Sequence, residues 1–139
     1  MIKRIDHIAI VVPDLEAGMG FWAEALGLPV ERVEAVPDEG VDVAFLPVGE
    51  SEVELLRPTD TESGVARFLE KRGPGLHHIC FEVEDIAVTL DRLRLANVPL
   101  INEEAKTGSG GKKFAFIHPK GTGGVLVELY ELPIVVRST

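Results

Sequence analysis

One short pattern occurs twice in this chain, and any fold for it must accommodate both copies. Residues 6–14 read DHIAIVVPD and residues 77–85 read HHICFEVED. An offset of 71 places His7 on His78, Ile8 on Ile79, Val12 on Val83 and Asp14 on Asp85, and also Ala44-Phe45 on Ala115-Phe116. Each copy closes on Val-Glu-Leu, as Val53-Glu54-Leu55 and Val127-Glu128-Leu129. The offset there is 74, so the second copy carries three extra loop residues around Lys120–Gly124. Two copies are too few for a solenoid, which needs at least three repeats to bury a continuous core. They predict two similar halves about a pseudo-twofold axis, with four ligand-type side chains in matched positions.

A chain of 139 residues reads as one domain, residues 1–139, long enough for a real core. Its net charge of −9 argues against nucleic acid as a partner, since phosphate binding needs a basic surface. An anionic ligand needs a local basic patch instead. Candidates are Lys112-Lys113 with Lys120, and Arg67 with Lys71-Arg72. The single cysteine, Cys80, excludes an internal disulfide and fits a reducing compartment, the cytoplasm. There is no signal-peptide pattern and no apolar run near the ~18 residues of a membrane span.

The elements repeat with the motif. In the first half, about 4–58, a strand over 5–12 ends at Pro13-Asp14. Asp14 then caps a helix over about 15–26 that Gly27 stops. Strands follow over 28–36, 41–47 and 52–57, turned by Pro37–Gly40 and Gly49–Ser51. A linker over 59–75 holds a short helix with Val65, Ala66, Phe68 and Leu69 on its apolar side. The second half, about 76–131, has a strand over 76–83, a helix over 86–96 capped by Asp85, and strands over 98–103, 112–118 and 123–131. The chain is thus α+β, two tandem βαβββ modules. The segment Lys106–Gly111 reads as a Gly-rich loop without the terminal Gly-Lys-Ser/Thr of a P-loop. The tail from Pro133 reads as an edge strand or a surface for a partner subunit.

Side chains alternate faces along a strand. His7 therefore shares a face with Ala9 and Val11, and Glu54 with Glu52 and Leu56. A carboxylate in so apolar a strand is costly unless it is paired or binds a cation. A lone strand histidine is more often structural than a ligand, and a lone strand glutamate more often solvated. Two of each at matched positions reverse that balance. His7, Glu54, His78 and Glu128 form a mixed nitrogen and oxygen set that suits a divalent metal such as cobalt(II), zinc, manganese, nickel or iron(II). His77 neighbours His78 on the opposite face, with Asp6 as its counterpart, and reads as a supporting residue. His118 matches Pro47 and takes no ligand role.

The paired βαβββ pattern with His and Glu in each half resembles the vicinal oxygen chelate superfamily, which includes glyoxalase I, extradiol dioxygenases and bleomycin-resistance proteins. Within it, IDHIAIVVPDLE (5–16), GVDVAFLPVGESEVELLRP (40–58), VARFLEKRGPGLHHICFEV (65–83) and GGKKFAFIHPKGTGGVLVELYE (110–131) resemble the methylmalonyl-CoA epimerase family. The resemblance implies a curved mixed sheet around a metal site with helices outside, and a homodimer. It implies interconversion of the (R) and (S) forms of methylmalonyl-CoA by abstraction of the α-proton. The ligands would be His7, Glu54, His78 and Glu128, with Glu128 also a candidate base. The metal would be cobalt(II) first, with manganese, nickel, zinc or magnesium as alternatives. Lys112, Lys113 and Lys120 would meet the CoA phosphates. The chain departs from the pattern at Val43, where some relatives carry a second glutamate base. Either a bulge re-aims Asp42, or another group or a water chain serves. Two other readings stay open: a glyoxalase I-type lyase or another isomerase on the same metal set, and a metal-free small-molecule-binding protein of the bleomycin-resistance type. The second expects the four ligand positions to be lost, and all four are present.

Overall fold

The computed structural model describes residues 1–133, so most of the tail assigned to an edge strand or a partner surface lies outside the described residues. The chain divides into two compact units. One is Asp6–His78; the other is Met1–Ile5 with the residues from Ile79 onward.

The unit Asp6–His78 contains most of β1 (Ile2–Val11), then α1 (Leu15–Met19), β2 (Arg32–Val36), β3 (Val41–Val48), β4 (Ser51–Pro58) and α2 (Gly64–Arg72). Its strand order is β2-β3-β4-β1. β3 pairs antiparallel with β2 and β4, and β1 pairs parallel with β4. Strand parity sorts the apolar residues into two clusters. Ala9, Val11, Val41, Val43 and Leu56 meet Val65, Phe68 and Leu69 of α2. Val12, Ala44, Leu46 and Leu55 meet Leu15 and Met19 of α1 together with Trp22 and Ala23.

The Asp14 carboxylate caps α1 by accepting the Glu16 N–H at 3.0 Å, as the sequence predicts. The helix expected over 15–26 is α-helical only to Met19. It continues over Gly20–Ala25 as a wider π turn, in which the Leu26 N–H donates to the Phe21 carbonyl at 2.8 Å. That wider turn keeps Met19, Trp22 and Ala23 on the same cluster. The strand expected from 28 begins only at Arg32, because Gly27 turns with φ 89° and Pro29 lacks an N–H to give the ladder. Gly40 has φ 66° and is buried. A Cβ there would lie 2.4 Å from Asp60 Oδ2, so the turn before β3 requires glycine on two counts.

The other unit holds the rest of β5 (Gly75–Val83), then α3 (Ile86–Leu95), β6 (Lys106–Thr107), β7 (Lys113–Ile117) and β8 (Leu126–Glu131), in the strand order β5-β8-β7-β6. Val83, Ile86, Leu90, Ala115, Ile117 and Leu129 form its core. Asp85 caps α3 through the Val88 N–H at 3.1 Å. The strand expected over 98–103 does not form. Pro99 has no N–H, and the Asn102 side chain accepts the Phe116 N–H at 2.8 Å in place of a strand carbonyl, so only the bridge Leu100↔Ile117 remains. Its ladder position is taken by Lys106–Thr107 at the start of the Gly-rich segment, paired with Phe114 and Lys113. β8 starts at Leu126 rather than 123, after a tight turn over Pro119–Gly121. Glu82 is buried and salt-bridged to Arg4 at 2.9 Å and Lys3 at 3.1 Å. Cys80 is fully buried. Among the described residues no helix is long and apolar enough to cross a membrane.

Candidate active site

The parallel register of β1 and β4 sets His7 beside Glu52 and Ala9 beside Glu54. Residues so paired point to the same face, so His7, Glu52 and Glu54 project together from the face that also carries Ala9, Val11 and Leu56. His7 is 3% exposed and His78 is 8% exposed. Their Nε2 atoms are 3.0 Å apart and their rings meet edge to face. On the other edge of its ring, His7 Nδ1 lies 2.8 Å from Asp6 Oδ2 and 3.3 Å from Glu54 Oε2. His78 Nδ1 lies 2.8 Å from His77 Nδ1. Parity starts His77 and His78 on opposite faces, but the His77 ring swings to meet the His78 ring and also stacks edge-on with Phe68 of α2 at 5.1 Å.

This set fits a divalent ion. Two imidazole nitrogens bound at right angles, each about 2.1 Å from one ion, sit about 3.0 Å apart. The Nε2 pair has that separation. Glu54 Oε2 stands at the Nδ1 edge of the His7 ring, so its side chain must turn to reach an ion shared by the Nε2 atoms. On the same face, Glu52 Oε2 is buried and has no hydrogen-bond partner among the described residues, an orphaned acceptor of the kind a cation or a polar ligand satisfies.

Glu128 is 6% exposed on β8, paired with Phe116 of β7, in the unit that begins again at Ile79. Lys112 places its Nζ 4.3 Å over the Tyr130 ring, and Lys113 pairs with Glu131 at 3.7 Å. Lys120 is exposed, and its backbone N–H donates to His118 Nδ1 at 3.0 Å. Arg72 stacks on Phe68. Val43 is buried, and the β2-β3-β4 register runs through it without a bulge. Asp42 is therefore not re-aimed and pairs with Arg57 at 3.1 Å.

Two neighbours of this set are not announced by the sequence. Asp6 was matched to His77 only by position, and its contact with His7 was not foreseen. Glu52 was placed on the face of Glu54, but nothing in the sequence marked its oxygen as unpartnered. Beside this face, Arg32 lies 3.8 Å from the Phe45 ring centroid, and its guanidinium is held above its ordinary pKa by the hydrogen bond to Glu34.

Residues 6–116 match the Glyoxalase/Bleomycin resistance protein/Dioxygenase superfamily. The chain is 44% identical over 134 residues to the Ethylmalonyl-CoA/methylmalonyl-CoA epimerase of Cereibacter sphaeroides, which covers 95% of this chain and 100% of that protein. It is 41% identical over 129 residues to the mitochondrial methylmalonyl-CoA epimerase of Mus musculus, covering 92% of this chain and 72% of that protein. Among solved structures, a methylmalonyl-CoA epimerase in complex with methylmalonyl-CoA and NH4+ superimposes with a TM-score of 0.83 at 35% identity, over 97% of this chain and 98% of that one.

Proposed function

This chain belongs to the glyoxalase/bleomycin resistance protein/dioxygenase superfamily, and from that premise we propose that it is a metal-dependent epimerase interconverting (R)- and (S)-methylmalonyl-CoA. The observation that carries the reading is the buried His7–His78 pair with Glu54 at its edge, in a chain 44% identical to a relative named for this reaction. That relative's name also covers ethylmalonyl-CoA, which makes a substrate with one more methylene a natural second test.

His7, Glu54, His78 and Glu128 are the proposed ligands. The repeat supports Glu128, which stands in the second copy where Glu54 stands in the first and is likewise held in an apolar strand. A bound divalent ion, cobalt(II) in the first instance, supplies Lewis-acid polarisation of the substrate's thioester and carboxylate oxygens. The two imidazoles, buried and fixed from behind, keep their donor atoms in place before substrate arrives. Glu128 is the proposed base that takes the α-proton from one face of the carbon, leaving an enolate. Return of a proton to the other face inverts the centre. Val43 has no proton to give and Asp42 is turned to Arg57, so another side chain or a water chain makes that transfer.

Lys112, Lys113 and Lys120 remain the proposed contacts for the CoA phosphates. The first two would exchange a ring and a carboxylate for phosphate. The proposed partners are an acyl-CoA substrate and a second copy of the chain, and no nucleic acid or membrane. The buried lone thiol supports a reducing compartment such as the cytoplasm.

The test is proton NMR of one methylmalonyl-CoA epimer in heavy water with chelator-treated protein, before and after cobalt(II). Metal-dependent loss of the α-proton signal with appearance of the other epimer is expected. No exchange under either condition refutes the epimerase reading.

A further inference from the structure

The two histidines of the proposed metal set are held in the same way by the residue that precedes each. His7 Nδ1 lies 2.8 Å from the Asp6 carboxylate, and His78 Nδ1 lies 2.8 Å from His77 Nδ1. Asp6 and His77 are themselves counterparts in the repeat. In each case the contact is on the ring edge away from the Nε2 atoms, which face one another at 3.0 Å. We propose that Asp6 and His77 are positioning residues that fix the tautomers of His7 and His78, keeping each proton on Nδ1 so that both Nε2 lone pairs are presented to one divalent ion.

The chemistry follows from the donor inventory. A neutral imidazole has one N–H and one acceptor nitrogen, and whichever nitrogen finds a good acceptor keeps the hydrogen. A carboxylate in its ionised form has no hydrogen to give, so His7 Nδ1 would donate to Asp6. For His78 to donate from Nδ1, His77 must accept through its Nδ1 and carry its own hydrogen on Nε2, and Phe68 packs edge-on against the ring that makes this contact. The two locks differ in strength. A charge-assisted bond to Asp6 is about twice as strong as a neutral bond to His77, so Asp6 contributes more to metal affinity. Ligating histidines are generally held by such a partner, and its removal costs about 10–100-fold in metal affinity.

The inference rests on the metal-site reading of His7 and His78, and its test uses no substrate. Zinc affinity is measured by chelator competition for the wild type, Asp6→Ala, Asp6→Asn and His77→Phe. The protonated nitrogen of each ring is then read from long-range 15N–1H correlation spectra of the zinc-loaded wild type. Expected are Nδ1–H signals for His7 and His78, at least a tenfold affinity loss for Asp6→Ala, and a smaller loss for His77→Phe. Asp6→Asn should recover part of the loss, because its amide oxygen still accepts. Zinc affinity within twofold of wild type in Asp6→Ala and His77→Phe overturns the proposal while leaving the metal site standing. So does zinc on Nδ1 with the hydrogen on Nε2. A wild type that binds no zinc removes the metal reading itself. The wild-type spectrum stands even where a variant fails to fold.

Discussion

Replacing Gly40 by alanine tests how the turn before β3 is tied to the start of α2. Gly40 has φ 66°, and a Cβ there would meet Asp60 Oδ2 at 2.4 Å and the Ser63 Cβ at 3.1 Å. The left-handed backbone alone costs a non-glycine residue about 1–2 kcal/mol. The Asp60 carboxylate cannot step aside freely, because its Oδ1 accepts the N–H of Ser63 at 2.9 Å and of Glu62 at 3.2 Å. Ser63 in turn caps α2 through the Ala66 N–H at 3.1 Å. The backbone term alone predicts a fall in Tm of roughly 3–8 °C at pH 7, and the collision adds to it. The Ser63 hydrogen bonds, with a smaller one from Glu62, hold the Asp60 carboxyl below its ordinary pKa. Its stabilising contribution is therefore complete above the unfolded pKa and is lost as pH falls through the lower folded one. In Gly40→Ala the displaced carboxylate forfeits that contribution, so the acid limb of a plot of stability against pH should flatten. The assay is thermal melting by circular dichroism for the wild type, Gly40→Ala, Asp60→Ala and the double variant across an acid pH series. Against Asp60→Ala, the alanine at 40 should cost less, only the backbone term and the milder contact with the Ser63 Cβ. An equal loss in both backgrounds would refute the steric link between the turn and the helix cap.

Glu128→Ala should abolish turnover and lower cobalt(II) affinity at least tenfold, read by proton exchange in heavy water and by chelator competition; full activity in the variant sinks the proposed mechanism. Arg4→Ala strips the nearer partner from the buried Glu82 carboxylate and should cost about 1–2 kcal/mol, after discounting for the partial exposure of Arg4. Lys3→Ala, at the more exposed partner, should cost less in the same urea titrations, and the reverse order would mean the pair is misassigned. Leu46→Ala empties a fully buried position and should cost about 2–5 kcal/mol, with metal affinity unchanged because its cluster lies against α1, away from His7. Loss of metal binding at constant fold would contradict that separation.

The shared face of the candidate residues on β1 and β4 is legible because strand parity is a property of the chain itself. His7 with Ala9 and Val11, and Glu54 beside Glu52, follow from counting by twos, and the parallel register of β1 and β4 puts these residues side by side. The helix caps Asp14 and Asp85 were legible for the same local reason. What depends on contacts through space was not. The Asp6–His7 and Glu82–Arg4 pairs join side chains whose meeting no periodicity announces. The strand expected over 98–103 failed because a side chain, Asn102, supplied the hydrogen bond that a strand carbonyl was expected to make. The helix after Asp14 was placed correctly, but its change of pitch at Gly20 depends on which residues must reach the Leu46–Leu55 cluster.

The sole thiol of the chain, Cys80, is sealed from solvent on β5 two residues beyond His78. A maleimide or disulfide reagent in the surrounding buffer therefore cannot reach it until the strand lifts away from its neighbours, and each labelled molecule records one opening of that region. The rate of labelling, followed with and without metal, becomes a clock for how firmly the ion holds the strand that carries one of its proposed ligands. The protein thus has its own reporter in place, at the spot where loosening matters most.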